Sequence, residues 1–396
     1  MMSDFMTRFF AGWRSQVTVQ NYFTLALVFF VLSYVFLPSS KAVNNFFYLF
    51  LALPGLFFLV KRFAPEFKAN LLALVWAVFF LWLLLAVFSV KDLQYLKHLL
   101  YVVLFCSVVA FFVDYRIFRR FELDALFFAV FLAYVFFSIL YYWAFDVYPV
   151  GARVSFLPMR LSGITYASIV LVAFFALITV PLMQRGKWLL FLSGFFLVLF
   201  CVSYALQSRA GVLGAFTVLG GALLYYLFRG KHWFCKLAAV FFALAVALCA
   251  AWLFSSDPVF ARLLERADSG RFELWQAYFQ AYLDCRLWLG CTTEQLSGIT
   301  IYNGTVAIEH PHNIFFSVLL NHGWIGFALF VLVIGLTLRE AWRQKNPWGV
   351  FLLVSLLMLQ FDGSRLVNQP NELWLLIFLP CMLILAEQVR GGSEKV

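Results

Sequence analysis

The sequence predicts an all-α polytopic membrane protein of about twelve transmembrane helices, with one large loop between the ninth and tenth. Three observations carry that prediction. The 396 residues are 64% hydrophobic and only 12% charged, too little charge to cover a soluble surface. Apolar runs able to cross a bilayer recur along the chain, separated by short polar connections. The stretch 255–313 alone interrupts that alternation for long, and it carries 11 charged residues.

In order, the runs fall at 22–37, 45–60, 71–90, 98–113, 125–145, 164–183, 188–206, 211–228, 236–254, 314–338, 347–361 and 372–389. Several are shorter than the about 20 residues a crossing needs, so their ends are soft. The chain 1–396 reads as a single membrane domain, with 255–313 a loop subdomain folded onto it. Ahead of the first run, Phe5, Phe9, Phe10 and Trp13 recur at helical spacing beside Arg8 and Arg14. That suits an amphipathic helix on the membrane surface or a tail without structure. The first run, followed by many others, is expected to be an uncleaved helix. In the eighth, Ala210, Gly211, Gly214 and Ala215 would permit close helix contact. Cys285 and Cys291 lie six apart in the long loop, open between a disulfide and two separate thiols.

The basic residues give the orientation. With the N-terminus inside, inner connections hold 18 of the 29 Lys and Arg; the outer ones hold 11, four of them in the long loop. Both termini are therefore expected in the cytoplasm and 255–313 outside. Topology accounts for the net charge of +10, and no nucleic-acid motif accompanies it, so membrane lipids rather than nucleic acid are the expected surroundings.

The outer arginines stand against this trend. Arg153 and Arg160 lie between the fifth and sixth runs, Arg209 in the tight turn Gln207-Ser208-Arg209-Ala210-Gly211, Arg271 in the long loop, and Arg365 in the last outer connection. Each alone suits a headgroup contact. Together they suit a basic cavity for a pyrophosphate, because guanidinium forks bind phosphate oxygens in pairs and keep their charge. Trp275, Tyr278, Phe279 and Tyr282 follow Arg271 at helical spacing, with Asp268 or Ser269 the expected N-cap. Arg271 would then project from a first turn, toward a ligand or into a salt bridge with Glu265, Asp268 or Glu273. His310 and His312 flank Pro311. A pair two apart can chelate a metal, but the sequence offers no evident third ligand, so a metal is not expected and one catalytic histidine fits better. Asn313 is placed to cap a helix from Ile314, setting His312 at its positive end, which favours a neutral ring able to accept a proton. His322, within Asn321-His322-Gly323, is expected to support packing; His98 and His232 are assigned no chemistry.

At these residues the sequence resembles a known family. Ser269-Gly270-Arg271, Trp275, Gly290, His312-Asn313 and Gly323-Trp324-Ile325-Gly326-Phe327 resemble the O-antigen ligase and polymerase superfamily, and Ser208-Arg209 looks like its arginine ahead of the eighth span. The length and single dominant loop look most like the ligase branch. The resemblance implies a GT-C-like glycosyltransferase in the bacterial inner membrane. It implies transfer of O-antigen polysaccharide from undecaprenyl pyrophosphate to a sugar hydroxyl of lipid A–core at the periplasmic face, without nucleotide or metal. Arg209 and Arg271 match its essential arginines and His312 its histidine; His310, and Cys291 beside Gly290, depart from its pattern. The chemistry read from the residues agrees. Arginines can stabilise a departing pyrophosphate in place of a divalent cation. His312 can take the proton of the attacking hydroxyl, and direct displacement inverts the anomeric carbon. Arg153, Arg160, Arg365, His310 and Asn313 are the further candidates for substrate binding. An O-antigen polymerase shares this chemistry with a lipid-linked acceptor; a protein O-glycosyltransferase would usually be longer. A twelve-helix transporter would need the inverted repeat and acidic relay that the sequence does not display.

Overall fold

Every apolar run among the described residues is helical, as it must be where lipid leaves the backbone to bond with itself. The architecture comes from a computed structural model, which describes residues 19–61, 70–90, 93–229, 270–285, 287–292, 295–296, 299–301, 306–308 and 310–391. In chain order the helices are α1 (Val19–Phe36), α2 (Ser40–Lys61), α3 (Leu71–Val90), α4 (Leu93–Phe112), α5 (Phe121–Ala144) and α6 (Ile164–Gln184). They continue as α7 (Trp188–Ala205), α8 (Arg209–Arg229), α9 (Arg271–Leu283), α10 (Ile314–Gln344) and α11 (Trp348–Met358). A π-helical turn, Trp374–Phe378, leads into α12 (Leu379–Gly391).

Eight of these, α1, α2, α4 to α8 and α10, are long and apolar enough to cross a membrane; α3 and α11 are shorter apolar helices. This is a polytopic membrane protein. The ninth apolar run, 236–254, the N-terminal aromatic segment and the first part of the long loop lie outside the described residues. Two residues on each side, Thr300–Ile301 and Val306–Ala307, form a short antiparallel ladder in that loop.

The centre of the bundle is α6. It is apolar all round, and 83% of its most hydrophobic stretch is buried, the pattern of a helix enclosed on every side. It packs against α5, α7, α8 and α11. Phe174 meets Phe127, Phe131, Trp348 and Phe351 around it.

The connections sort to two ends. At one, Arg160 N–H bonds Leu37 C=O at 2.8 Å, Val154 N–H bonds Ala205 C=O at 3.0 Å, and the Tyr34 hydroxyl bonds Asn371 C=O at 2.8 Å. At the other, Asp114 N–H bonds Thr24 Oγ1 at 2.8 Å, Arg119 reaches Lys345 C=O at 3.0 Å, and Arg119 also pairs with Glu387. The connections that helix parity assigns to one side are therefore joined to one another.

The loop enters the bundle at a break in α10. Gly323 has φ 65° and ψ −173°, which no helix accommodates. A continuous helix would bond Trp324 N–H to Leu320 C=O. Instead Leu320 C=O accepts from Cys291 N–H at 2.7 Å, and Trp324 N–H donates to Leu287 C=O at 2.9 Å. A strip of loop thus substitutes for both halves of one helical bond. Only glycines allow the approach. A Cβ on Gly323 would meet the Trp288 carbonyl and lie 2.6 Å from the Leu289 nitrogen; one on Gly290 would lie 2.6 Å from the Asn321 carbonyl carbon. The Cys285–Cys291 disulfide closes the strip, resolving what the spacing left open. The insertion also fixes His322, which is buried, with Tyr95 3.4 Å from its Nδ1 and Trp82 Nε1 bonding its carbonyl at 3.2 Å. This is the packing role expected of it. Gly323→Ala is expected to destabilise the protein by about 1–3 kcal/mol, because φ 65° with ψ −173° is a region that essentially only glycine enters. A lowered thermal unfolding midpoint in detergent is the measurement that checks it.

Candidate active site

The N-terminus of α10 is held by a second connection rather than by its own loop alone. Asn313 is the N-cap: its Oδ1 accepts from Phe316 N–H at 3.0 Å, as its position suggested. Ile314 N–H donates to Leu359 C=O at 3.0 Å, and the Ser317 hydroxyl to Ser364 C=O at 3.0 Å. Gly363 makes that contact possible, since a Cβ there would stand 2.5 Å from the Ile314 nitrogen. The segment following α11 is therefore stitched over the helix start.

That stitching presents Asp362 to His312. Asp362 Oδ1 lies 3.1 Å from His312 Nδ1. His312 sits at φ 50°, a left-handed conformation that histidine tolerates better than most residues. With Nδ1–H donating to the carboxylate, Nε2 carries the lone pair. This is the pairing by which a carboxylate fixes an imidazole tautomer and orients a base. The His312 side chain is 35% exposed and Asp362 only 11%, so the imidazole is open to its surroundings while its carboxylate partner is enclosed.

Arg271 reaches the same segment. Its Nη2 donates to Phe361 C=O at 2.5 Å, and its guanidinium lies 5.6 Å from the Phe361 ring centroid. Trp275, one helical turn on, donates Nε1–H to Pro311 C=O at 2.8 Å. So α9 is anchored to the residue immediately before each member of the His312–Asp362 pair. Leu274, Tyr278 and Tyr282 turn inward while Phe279 is exposed, dividing the aromatic stripe between two faces. The residue at the N-cap position of α9 is Gly270, at φ 70°, and it makes no side-chain cap bond. The expected Asp268 or Ser269 cap is thereby corrected. Both of those residues, and Glu265, lie outside the described residues.

The remaining arginines share this end of the bundle in different ways. Arg209 is the first residue of α8 and is half-buried. Five residues further, Gly214 packs on Met358 near the end of α11. Five residues of helix rise about 7.5 Å, so Arg209 stands about that far along α8 from this contact. The turn before it is strained, with Gln207 at φ 47°, and Arg153 Nε bonds Leu206 C=O there at 3.4 Å. Arg365 is half-buried on the stitched segment, close enough to act electrostatically on His322. Arg160 is engaged by the chain itself: its two terminal nitrogens lie 2.6 and 3.2 Å from the two oxygens of Glu372.

The structure thus gathers Arg271, His310, His312 and Asn313 around Phe361 and Asp362, groups Arg153 with the turn of Arg209, and pairs Arg160 with Glu372. Sequence reading passed over Asp362 and Glu372. The available signal was an acid in Asp362-Gly363, at the mouth of an apolar run, where charge is otherwise scarce.

Two comparisons bear on what such a site does. Residues 194–331 match a family model described as O-Antigen ligase, a span that includes Arg209, Arg271, His310, His312 and Asn313. The chain is also 30% identical over 191 residues to a Pseudomonas aeruginosa protein described as an O-antigen ligase. That alignment covers 46% of this chain and 44% of the relative, so the chain spans less than half the length of the protein it matches. Both findings are likenesses to O-antigen ligases, each over less than half of this chain.

Proposed function

We propose that this chain, whose central residues carry the O-antigen ligase pattern, is a GT-C-like glycosyltransferase joining O-antigen polysaccharide to lipid A–core. The donor would be the polysaccharide on undecaprenyl pyrophosphate and the acceptor a sugar hydroxyl of the core. The observation that carries this reading is one short segment, Phe361–Asp362, touched by both Arg271 and His312. A cation for a leaving anion and a base for an incoming hydroxyl stand side by side.

The steps follow from that arrangement. The acceptor oxygen attacks the anomeric carbon as the bond to the pyrophosphate oxygen breaks, which inverts the centre. The hydroxyl proton passes to His312 Nε2, while Asp362 holds Nδ1–H and stabilises the imidazolium that forms. The departing pyrophosphate gathers negative charge, which Arg271 and Arg209 meet with guanidinium forks. Asn313 holds the helix end that places His312. Arg153 and Arg365 would serve further donor or acceptor phosphates, and Arg160 with Glu372 braces the same end of the bundle. The excess of Lys and Arg on the opposite connections supports a periplasmic site, with both termini cytoplasmic, in the inner membrane.

Reconstitution tests this reading. Purified protein, lipid-linked glycan and lipid A–core should yield lipopolysaccharide of shifted mobility on a gel, at full rate in excess chelator. A strict metal requirement would contradict the arginine-based account. Elongation of lipid-linked glycan without capping of the core would make the protein a polymerase instead.

A further inference from the structure

Three groups of the kind that coordinate metal ions meet at this site. His312 Nδ1 and Asp362 Oδ1 are 3.1 Å apart. The turn at Pro311 brings the His310 ring to 4.1 Å from the His312 ring, centroid to centroid. One ligand atom from each of the three lies within 4.8 Å of the others. Two ligands on a tetrahedral ion, each bonded at about 2.1 Å, stand about 3.4 Å apart. The His312–Asp362 pair already has that bite, and a small movement of His310 completes a three-point set. Sequence reading set a metal aside for want of a third ligand beside the two histidines; Asp362, fifty residues along the chain, is that ligand. Two imidazoles and one carboxylate suit zinc and its neighbours in the first transition row rather than magnesium or calcium, which prefer all-oxygen sites.

We propose that His310, His312 and Asp362 form a binding site for a zinc-class divalent cation, and that its occupancy silences transfer. The ion takes the place of the proton between Nδ1 and Oδ1. Bonds form from the metal to His312 Nδ1, to Asp362 Oδ1 and to a ring nitrogen of His310. The Nδ1–H bond is broken and an N–H bond forms at Nε2, so the neutral ring keeps one proton and none is released. A ring protonated at Nε2 donates where it must accept, and the acceptor hydroxyl loses its base. The guanidinium of Arg271, bonded to the carbonyl next to Asp362, opposes the charge of the ion. Affinity therefore falls below that of a closed four-ligand structural site, as suits reversible inhibition. The inhibitory consequence rests on the base role assigned to His312 above; the binding does not.

The test separates the two. Detergent-purified protein is stripped with chelator, then titrated with Zn²⁺ by equilibrium dialysis and with Co²⁺ by visible absorption. One ion per chain is expected. His310→Ala and Asp362→Asn should each weaken binding by at least the about 10–100-fold that loss of a supporting outer-shell partner costs, and His98→Ala, outside the cluster, should leave it unchanged. Transfer is followed in parallel, each variant scaled to its own rate in chelator. Zn²⁺ should inhibit the unmodified protein, and His310→Ala should raise the half-inhibitory concentration by the same factor as the dissociation constant. Binding that is non-saturable, or undiminished by His310→Ala, overturns the site. Saturated binding with undiminished transfer leaves the site standing and overturns both its inhibitory role and the assignment of His312 as base.

Discussion

Replacing His312 should all but abolish glycan transfer while the protein stays folded. A positioned base contributes about 10²–10⁴ to rate, and the Asp362 carboxylate orients this ring for that task. The choice of substitute matters. His312 adopts φ 50°, so alanine adds backbone strain of order 1 kcal/mol, whereas asparagine tolerates that region as histidine does. His312→Asn should therefore melt with the unmodified protein and still fail to shift lipid A–core on a gel. His312→Ala should fail equally, with a slightly lower midpoint. Near-normal ligation by the asparagine variant would remove His312 from the chemistry. Asp362→Asn belongs to the same experiment. An amide can accept from or donate to Nδ1, so the tautomer is no longer fixed, and the rate should fall toward that of the histidine variants.

The second large effect is expected of a change that keeps the charge. Arg271→Lys should reduce transfer by about 10²–10³, the range associated with losing one donor to a developing anion. Arg271 already serves the fold with one nitrogen, holding Phe361 C=O at 2.5 Å with the aromatic ring nearby. A guanidinium has five donors in a rigid fork and can hold that carbonyl and a phosphate together; an ammonium is a point charge and must choose. Arg209→Lys should behave alike, since the guanidinium at the head of α8 is proposed to meet the same anion. Activity within a few-fold of the unmodified protein in either lysine variant would mean that charge alone suffices. The fork argument would then be wrong.

Much of this was legible in the residues because lipid enforces simple rules. Apolar runs must be helices, so α1 to α8 and α10 to α12 lie where composition puts them. Asn313 reads as a cap because an acceptor side chain ahead of an apolar run has few other uses. The site is harder, because its parts meet only through packing. Asp362 lies at the far end of α11, and nothing local ties it to His312. The link is three contacts, Ile314 to Leu359, Ser317 to Ser364, and the close pass of Gly363. The break in α10 was invisible for a related reason. Glycine is common in membrane helices, and Gly323 becomes a kink only because the strip from Leu287 to Cys291 supplies the hydrogen bonds the helix gives up. Arg160 looked like the other outer arginines because its partner, Glu372, is over two hundred residues away.

The most direct measurement is an electron cryomicroscopy structure of the protein with undecaprenyl pyrophosphate, the leaving product, bound. Its pyrophosphate oxygens should lie within about 3.2 Å of the guanidinium nitrogens of Arg271 and Arg209, on the side to which His312 Nε2 points. Density for the pyrophosphate at the opposite end of the bundle, near Arg119 and Arg390, or away from both Arg271 and Arg209, would contradict the account.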